Sequence, residues 1–235
     1  MAVKPMKNIE TNIWQGKQAR GRFQGQRKMN QVGPGKFPTS WFNSLRDKQV
    51  LMDRSEVIPE SEWPQEIFDH CVKKLPWLRV DDKELAELYR ICEEEIDWSK
   101  QSGPPGKYID IRYVKDHPII DRFESTVKDH VGTAAQDPAN FARIKPLTAM
   151  YPHRDSPLRW MTLYCPIPTP GAEYAPTEHL WEDGLIYGVK DWDFGAVYAF
   201  NQDIWHMANN YADAPRYTLQ MVLDMQYEDF VSNHT

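Results

Sequence analysis

Tyr151-Pro152-His153-Arg154-Asp155 sets an imidazole and a carboxylate two residues apart. On an extended chain both side chains project from one face and can grip a single ion. A chain with seven histidines and 34 acids supplies about one such pair by chance, so the pair alone says little. His206, in NQDIWHMANNY, adds a second imidazole at the end of the strand-like run GAVYAF. Two histidines and one carboxylate on one face of an octahedral ion leave three positions open for other ligands. Arg216 and Thr218 share one face of the strand-like run PRYTLQMVL. A guanidinium offers a planar fork to a carboxylate, and a hydroxyl two residues along is a further donor to the same anion. A buried arginine in a β core needs an anionic partner. The strand itself holds none, so the far carboxylate of a bound diacid meets the need, with an ion pair to an acid elsewhere as the competing reading. For His206 taken singly, the competing reading is a structural histidine.

The elements that must position these residues come from periodicity. Helical patterns run over 61–74, 82–99 and 117–131. The middle one is the clearest, with Leu85, Leu88, Tyr89, Cys92 and Ile96 forming one apolar stripe and the acidic run 93–95 its solvated face. SGPPG at 102–106 ends it, YIDIRYV at 108–114 alternates as a strand does, and Pro118 opens the third helix. From about residue 140 the character changes. RIKPLTAMY, RWMTLYCPI, GAVYAF and YTLQMVLDM are short β-prone runs separated by turns. Strands with no helical pattern between them predict an antiparallel sandwich or jelly roll, not a βαβ sheet. Residues 171–184 are long for a hairpin loop and read either as a lid over the site or as a plain insertion.

The net charge of −6 is unevenly spread: residues 1–50 carry ten Lys or Arg against two acids, which leaves the rest of the chain strongly acidic. Segment 17–36, rich in Gly, Gln and basic residues, reads as an arm, solvated or docked on the acidic body. Its charge and aromatics would suit nucleic acid, but the acidic body would repel phosphate. Three widely spaced cysteines without a Cys-x-x-Cys predict neither a disulfide framework nor a thiolate zinc site. No stretch approaches the ~18 apolar residues of a membrane helix, and no apolar leader is evident. The expectation is a cytoplasmic protein without membrane contact.

His153-x-Asp155, His206 and Arg216-x-Thr218, in that order, resemble the Fe(II)- and 2-oxoglutarate-dependent oxygenases. The surrounding blocks RIKPLTAMYPHRD, CPIPTP, LWEDGLIYGVKDWDFGAVYAFNQDIWHMANN and PRYTLQMVLD look like those of the aspartyl/asparaginyl β-hydroxylase-like branch, over residues 140–235. That branch has Gly where this chain has Asp155, so the chain keeps a full triad. The resemblance implies an α+β fold: a double-stranded β-helix (jelly roll) core over 136–235, a helical region with one or two strands over 40–135 packed outside it, and a basic arm over 1–39. It implies Fe(II) on His153, Asp155 and His206, with 2-oxoglutarate and O2 as cosubstrates and Arg216 on the distal carboxylate. The branch uses basic residues on the strand after the first histidine, where this chain has Trp160-Met161-Thr162-Leu163-Tyr164. Thr162 and Tyr151 are therefore further candidates to bind cosubstrate. Arg154, Arg159, Trp160, Tyr164, Trp181 and Trp205 are candidates to line the substrate side, with a surface position the competing reading for the two arginines. His179 fits no ligand pattern and reads as part of a turn-rich stretch. The implied reaction is hydroxylation of an amino acid C–H bond, free or peptidyl, with release of succinate and CO2. The alternatives are a cupin-like metal-dependent isomerase or metal-binding jelly roll, and a nucleic-acid-linked oxygenase or binding module.

Overall fold

The computed structural model describes residues 57–58, 60–100, 109–132, 138–146, 154–155, 161–171, 177–180, 186–189, 192–208, 210 and 212–235. The arm over 1–39, Tyr151, His153, Arg159, Trp160 and Trp181 lie outside them. The larger of two sheets contains β2 (Val72–Arg79), β3 (Ile109–Arg112), β4 (Asn140–Ile144), β5 (Met161–Ile167), β8 (Ala196–Asn201) and β10 (Arg216–Leu223), in the order β2-β8-β5-β10-β4-β3. All its pairings are antiparallel. The smaller sheet runs β1 (Val57–Ile58), β7 (Ile186–Gly188), β6 (Thr177–Leu180), β9 (His206–Ala208), with β1 parallel to β7.

Alternation along the strands gives the larger sheet two apolar faces. Met161, Leu163, Cys165, Val197, Ala199, Leu219 and Met221 pack on one side against Leu85, Leu88, Phe123, Val127 and Phe230 of the helices. Tyr164, Tyr198 and Phe200 pack on the other with Trp192 and with Ile58 and Tyr187 of the smaller sheet. The strands are buried on both faces, so they read as nearly continuous apolar runs. The sheet-facing interior is the one that matters for chemistry, because Arg216, Thr218 and Tyr164 point into it.

The helices are α1 (Gln65–His70), α2 (Asp82–Arg90) extended by a π turn over Ile91–Glu95, α3 (Pro118–Val131) and α4 (Tyr227–His234). Helix α2 opens with a capping box: Asp81 accepts from the Glu84 backbone N–H, and the Glu84 carboxylate accepts from that of Asp81. The same carboxylate takes both Arg122 nitrogens of α3, at 2.8 and 2.5 Å, locking the two helices together.

The first two expected helices are shorter than their patterns, whereas the third runs over Pro118–Val131 with His117 as its cap. The first stops at His70, and Cys71 turns the chain into β2, which periodicity did not reveal because Pro76 and its lysines read against a strand. Pro76 is tolerated because β2 is an edge strand, and the register with β8 shifts between Lys74 and Arg79 around it. The second ends at Glu95, with Ile96 already extended. The stretch 171–184 is not all loop, since it contains β6. GAVYAF does not end at His206. It is β8 of the larger sheet, whereas His206 begins the separate β9 in the smaller one. Cys71, Cys92 and Cys165 are buried free thiols. Burial pushes the Cys165 thiol up to about 12, so it is inert as a nucleophile.

Candidate functional site

Arg216 is the first residue of β10 and is completely buried. Its guanidinium is hydrogen-bonded to the Tyr164 hydroxyl, with its central carbon 5.6 Å from that ring's centre. Thr218 is equally buried, two residues along the same face, and its hydroxyl oxygen has no hydrogen-bond partner among the described residues. Tyr164, a candidate for the substrate side, has its hydroxyl on Arg216. Thr162 shares its face of β5 and is also buried, two residues further from the Arg216 end of β10.

Asn210 fixes the approach to Arg216. Its amide donates to the carbonyls of Ile144, Lys145 and Ala214 at 3.3, 3.2 and 2.8 Å, and its oxygen accepts from Ala212 N–H at 3.1 Å. One buried side chain thus pins the β9–β10 turn to the end of β4.

His206 is buried at the start of β9. Its Nδ1 lies 2.9 Å from the Ile204 carbonyl. A carbonyl only accepts, so Nδ1 is the donor in this contact, which leaves Nε2 as the ring nitrogen able to offer a lone pair to a metal. The turn before it is tightly built. Asn201 donates to the His70 carbonyl at 2.8 Å and accepts from Asp203 N–H at 2.9 Å.

Asp155 reaches the same turn: its backbone N–H donates to the Gln202 carbonyl at 3.1 Å. Arg154 is not a surface residue. Its side chain is 1% exposed and forms an ion pair with Asp203. A backbone hydrogen bond and an ion pair between buried Arg154 and half-buried Asp203 therefore tie the segment of Asp155 to the turn that carries His206. Of the expected triad, the structure brings together the segments of Asp155 and His206. Among the described residues no group of three His, Cys, Asp or Glu side chains converges, His153 being outside them. Trp205 is fully buried.

The arginine end and the histidine end are linked across the interior by packed rings. Tyr164 meets Phe200 at 5.2 Å, Phe200 stacks on His179 at 5.6 Å, and His179 lies 6.4 Å from His206, centre to centre. His179 stands on β6 directly opposite His206. It is completely buried, and neither of its ring nitrogens has a hydrogen-bond partner among the described residues. Burial, and then the neighbouring His206, hold its pKa well below the usual imidazole range, so the ring is neutral.

No family model and no curated protein matches the sequence. Among solved structures, a prolyl-4-hydroxylase of Pseudomonas putida is 14% identical, with 68% of this chain and 96% of that chain covered and a TM-score of 0.45. The viral collagen prolyl hydroxylase of Paramecium Bursaria Chlorella virus-1, in its 2OG complex, is 14% identical over 64% of this chain and 94% of its own, at a TM-score of 0.44. An oxidoreductase of the 2OG-Fe(II) oxygenase family from Burkholderia pseudomallei is 12% identical over 84% and 95%, also at 0.44. The chain is similar to solved 2OG-Fe(II) oxygenases.

Asn210, Asn201 and Asp203 carry no signal of their positions in the sequence, and His179, read as part of a turn-rich stretch, lies instead on strand β6. The three residues with Asn or Asp side chains sit in turns, where their type signals only local bonding. For His179 no signal was available, because strand β6 is four residues long and flanked by turn formers.

Proposed function

We propose that the protein is an Fe(II)- and 2-oxoglutarate-dependent hydroxylase acting on an amino acid C–H bond, free or peptidyl, within a double-stranded β-helix core. The jelly-roll form is supported by the path of the chain. From β5 it crosses to β6 and β7 in the smaller sheet, returns to β8, crosses to β9 and returns to β10. The observation that carries the reading is a buried interior with Arg216, Tyr164 and Thr218 at one end and His206 at the other. A partnerless buried hydroxyl is costly unless an occupant satisfies it, and a diacid would do so while meeting the Arg216 fork.

In this reading His153, Asp155 and His206 hold the metal, and Arg216, with Thr218, takes the distal carboxylate. Thr162 and Tyr151 remain further candidates toward the cosubstrate, and Arg159, Trp160, Trp181 and Trp205 toward the substrate. Iron held there would activate O2, which is the oxidant, while 2-oxoglutarate would supply two electrons as it is oxidised to succinate and CO2, one oxygen atom ending in succinate and the other in the substrate hydroxyl. The chain's own part is to orient and to exclude water. Tyr164 holds the guanidinium in place, the Ile204 carbonyl fixes the His206 ring, Arg154 ties the Asp155 segment to the His206 turn, and the aromatic walls keep the interior dry. Residues 1–39, which by composition read as a basic arm appended to the core, are assigned no part in this reading.

Fe(II) and 2-oxoglutarate added to the protein without oxygen should give a visible metal-to-ligand charge-transfer band. It should vanish in His206→Ala and need far more 2-oxoglutarate in Arg216→Ala. A folded, iron-loaded wild type without the band would overturn the reading in favour of a metal-binding jelly roll.

A further inference from the structure

His179 is a polar group that the fold buries without using. Its ring stacks on Phe200 with the planes 14° apart, so packing fixes its orientation, yet neither nitrogen is hydrogen-bonded among the described residues. A neutral imidazole always has one N–H to donate. Left unsatisfied in an apolar interior, that donor destabilises the protein, and a leucine or phenylalanine at the same place would not. A buried donor without a partner calls for an explanation, and a ligand that accepts from it is one. Its position says which part of a ligand. His179 is the cross-strand partner of His206, with ring centres 6.4 Å apart, whereas Tyr164 and Arg216 lie beyond Phe200. It therefore serves the histidine end of the interior.

Resting on the function proposed above, we infer that His179 is a binding residue that donates its ring N–H to the metal-end carboxylate of the bound 2-oxo acid, the carboxylate that leaves as CO2. Arg216 and His179 would then grip the two ends of one diacid from opposite sheets. This division sets specificity: a ligand lacking either carboxylate forfeits one grip.

The test is anaerobic titration of the Fe(II)-loaded protein with 2-oxoglutarate and with 4-oxobutanoate, which keeps the carbonyl and the distal carboxylate but lacks the metal-end one. Wild type, His179→Phe and His179→Gln are compared. In His179→Phe the affinity for 2-oxoglutarate should fall about tenfold, the worth of one hydrogen bond to a charged group. Its affinity for 4-oxobutanoate should change less than about twofold, and the amide of His179→Gln should restore part of the loss. Iron affinity without cosubstrate should be unchanged. The ligand-free thermal midpoint of His179→Phe should equal or exceed that of wild type, since no hydrogen bond of this ring is found among the described residues. Equal losses for both ligands, a loss of iron binding, or a lowered midpoint in both variants would overturn the assignment, making His179 a general packing residue, a metal ligand or a structural group respectively. Wild type that binds iron but neither ligand would instead sink the underlying function.

Discussion

Arg216 and Arg154 are both fully buried guanidinium groups, and they do different work. Arg216 faces the interior beside Tyr164, where a planar fork matters. Arg216→Lys keeps the charge but loses the fork, and lysine cannot reproduce both the tyrosine contact and a bidentate carboxylate grip. We expect the dissociation constant for 2-oxoglutarate to rise about tenfold to a hundredfold, read by calorimetric titration, with no change in iron affinity. Arg154 faces Asp203, and removing one member of a buried pair strands the other. Asp203→Ala should lower stability by about 2–3 kcal/mol in urea unfolding and weaken iron binding roughly tenfold, because the Asp155 segment is no longer held to the His206 turn. An unchanged iron affinity in the folded variant would show that the pair stabilises the loop without positioning ligands.

Strand β2 shows how an unpromising element is held in place. Its outer residues Lys74 and Arg79 converge on Asp193, Arg79 at 2.9 and 3.0 Å, ahead of β8. The Arg79 and Lys74 hydrogen bonds lower the Asp193 carboxyl from 3.8 to about 2. A carboxyl depressed on folding stabilises above its unfolded pKa, and the contribution is lost as pH falls from about 4 to about 2. Asp193→Asn should therefore flatten the decline of stability across that window, while lowering stability at neutral pH by less than about 1 kcal/mol, because the cluster is solvent-exposed. Unfolding midpoints at pH 7, 4 and 2.5 decide it. Gly195 closes the same corner. Its φ is +87°, its carbonyl accepts from Val80 N–H at 2.8 Å, and an added Cβ would meet the Val80 carbonyl oxygen at 2.2 Å. Gly195→Ala should cost more than about 2 kcal/mol in the same measurement.

For the whole molecule, the proposed site straddles two sheets, so its occupancy is linked to global stability. Iron together with 2-oxoglutarate at a hundred times its dissociation constant should add about 2.7 kcal/mol. For a chain of this length that raises the thermal midpoint by about 5–10 °C. Removing residues 1–39 should leave this shift intact if the arm is the appendage we propose. Loss of the shift in the folded truncated protein would place the arm in the machinery.

Much of this was legible from local rules. The periodicity of α2, the start of α3 at Pro118, and the strands at 109–112, 161–167, 196–201 and 216–223 follow from side-chain periodicity and turn formers. So does the pairing of Arg216 with Thr218 on one strand face. Those signals act within a few residues, and so they survive in the sequence. Strand β2 did not announce itself, because only its place at a sheet edge makes Pro76 acceptable. The burial of Arg154 depends on Asp203, 49 residues away, and the place of His179 on the register of β6 with β9. Pairing between distant segments is decided by the packing of the whole chain, which no single stretch encodes. The tertiary structure alone therefore decided which histidine faces His206 and that Arg154 is buried against Asp203.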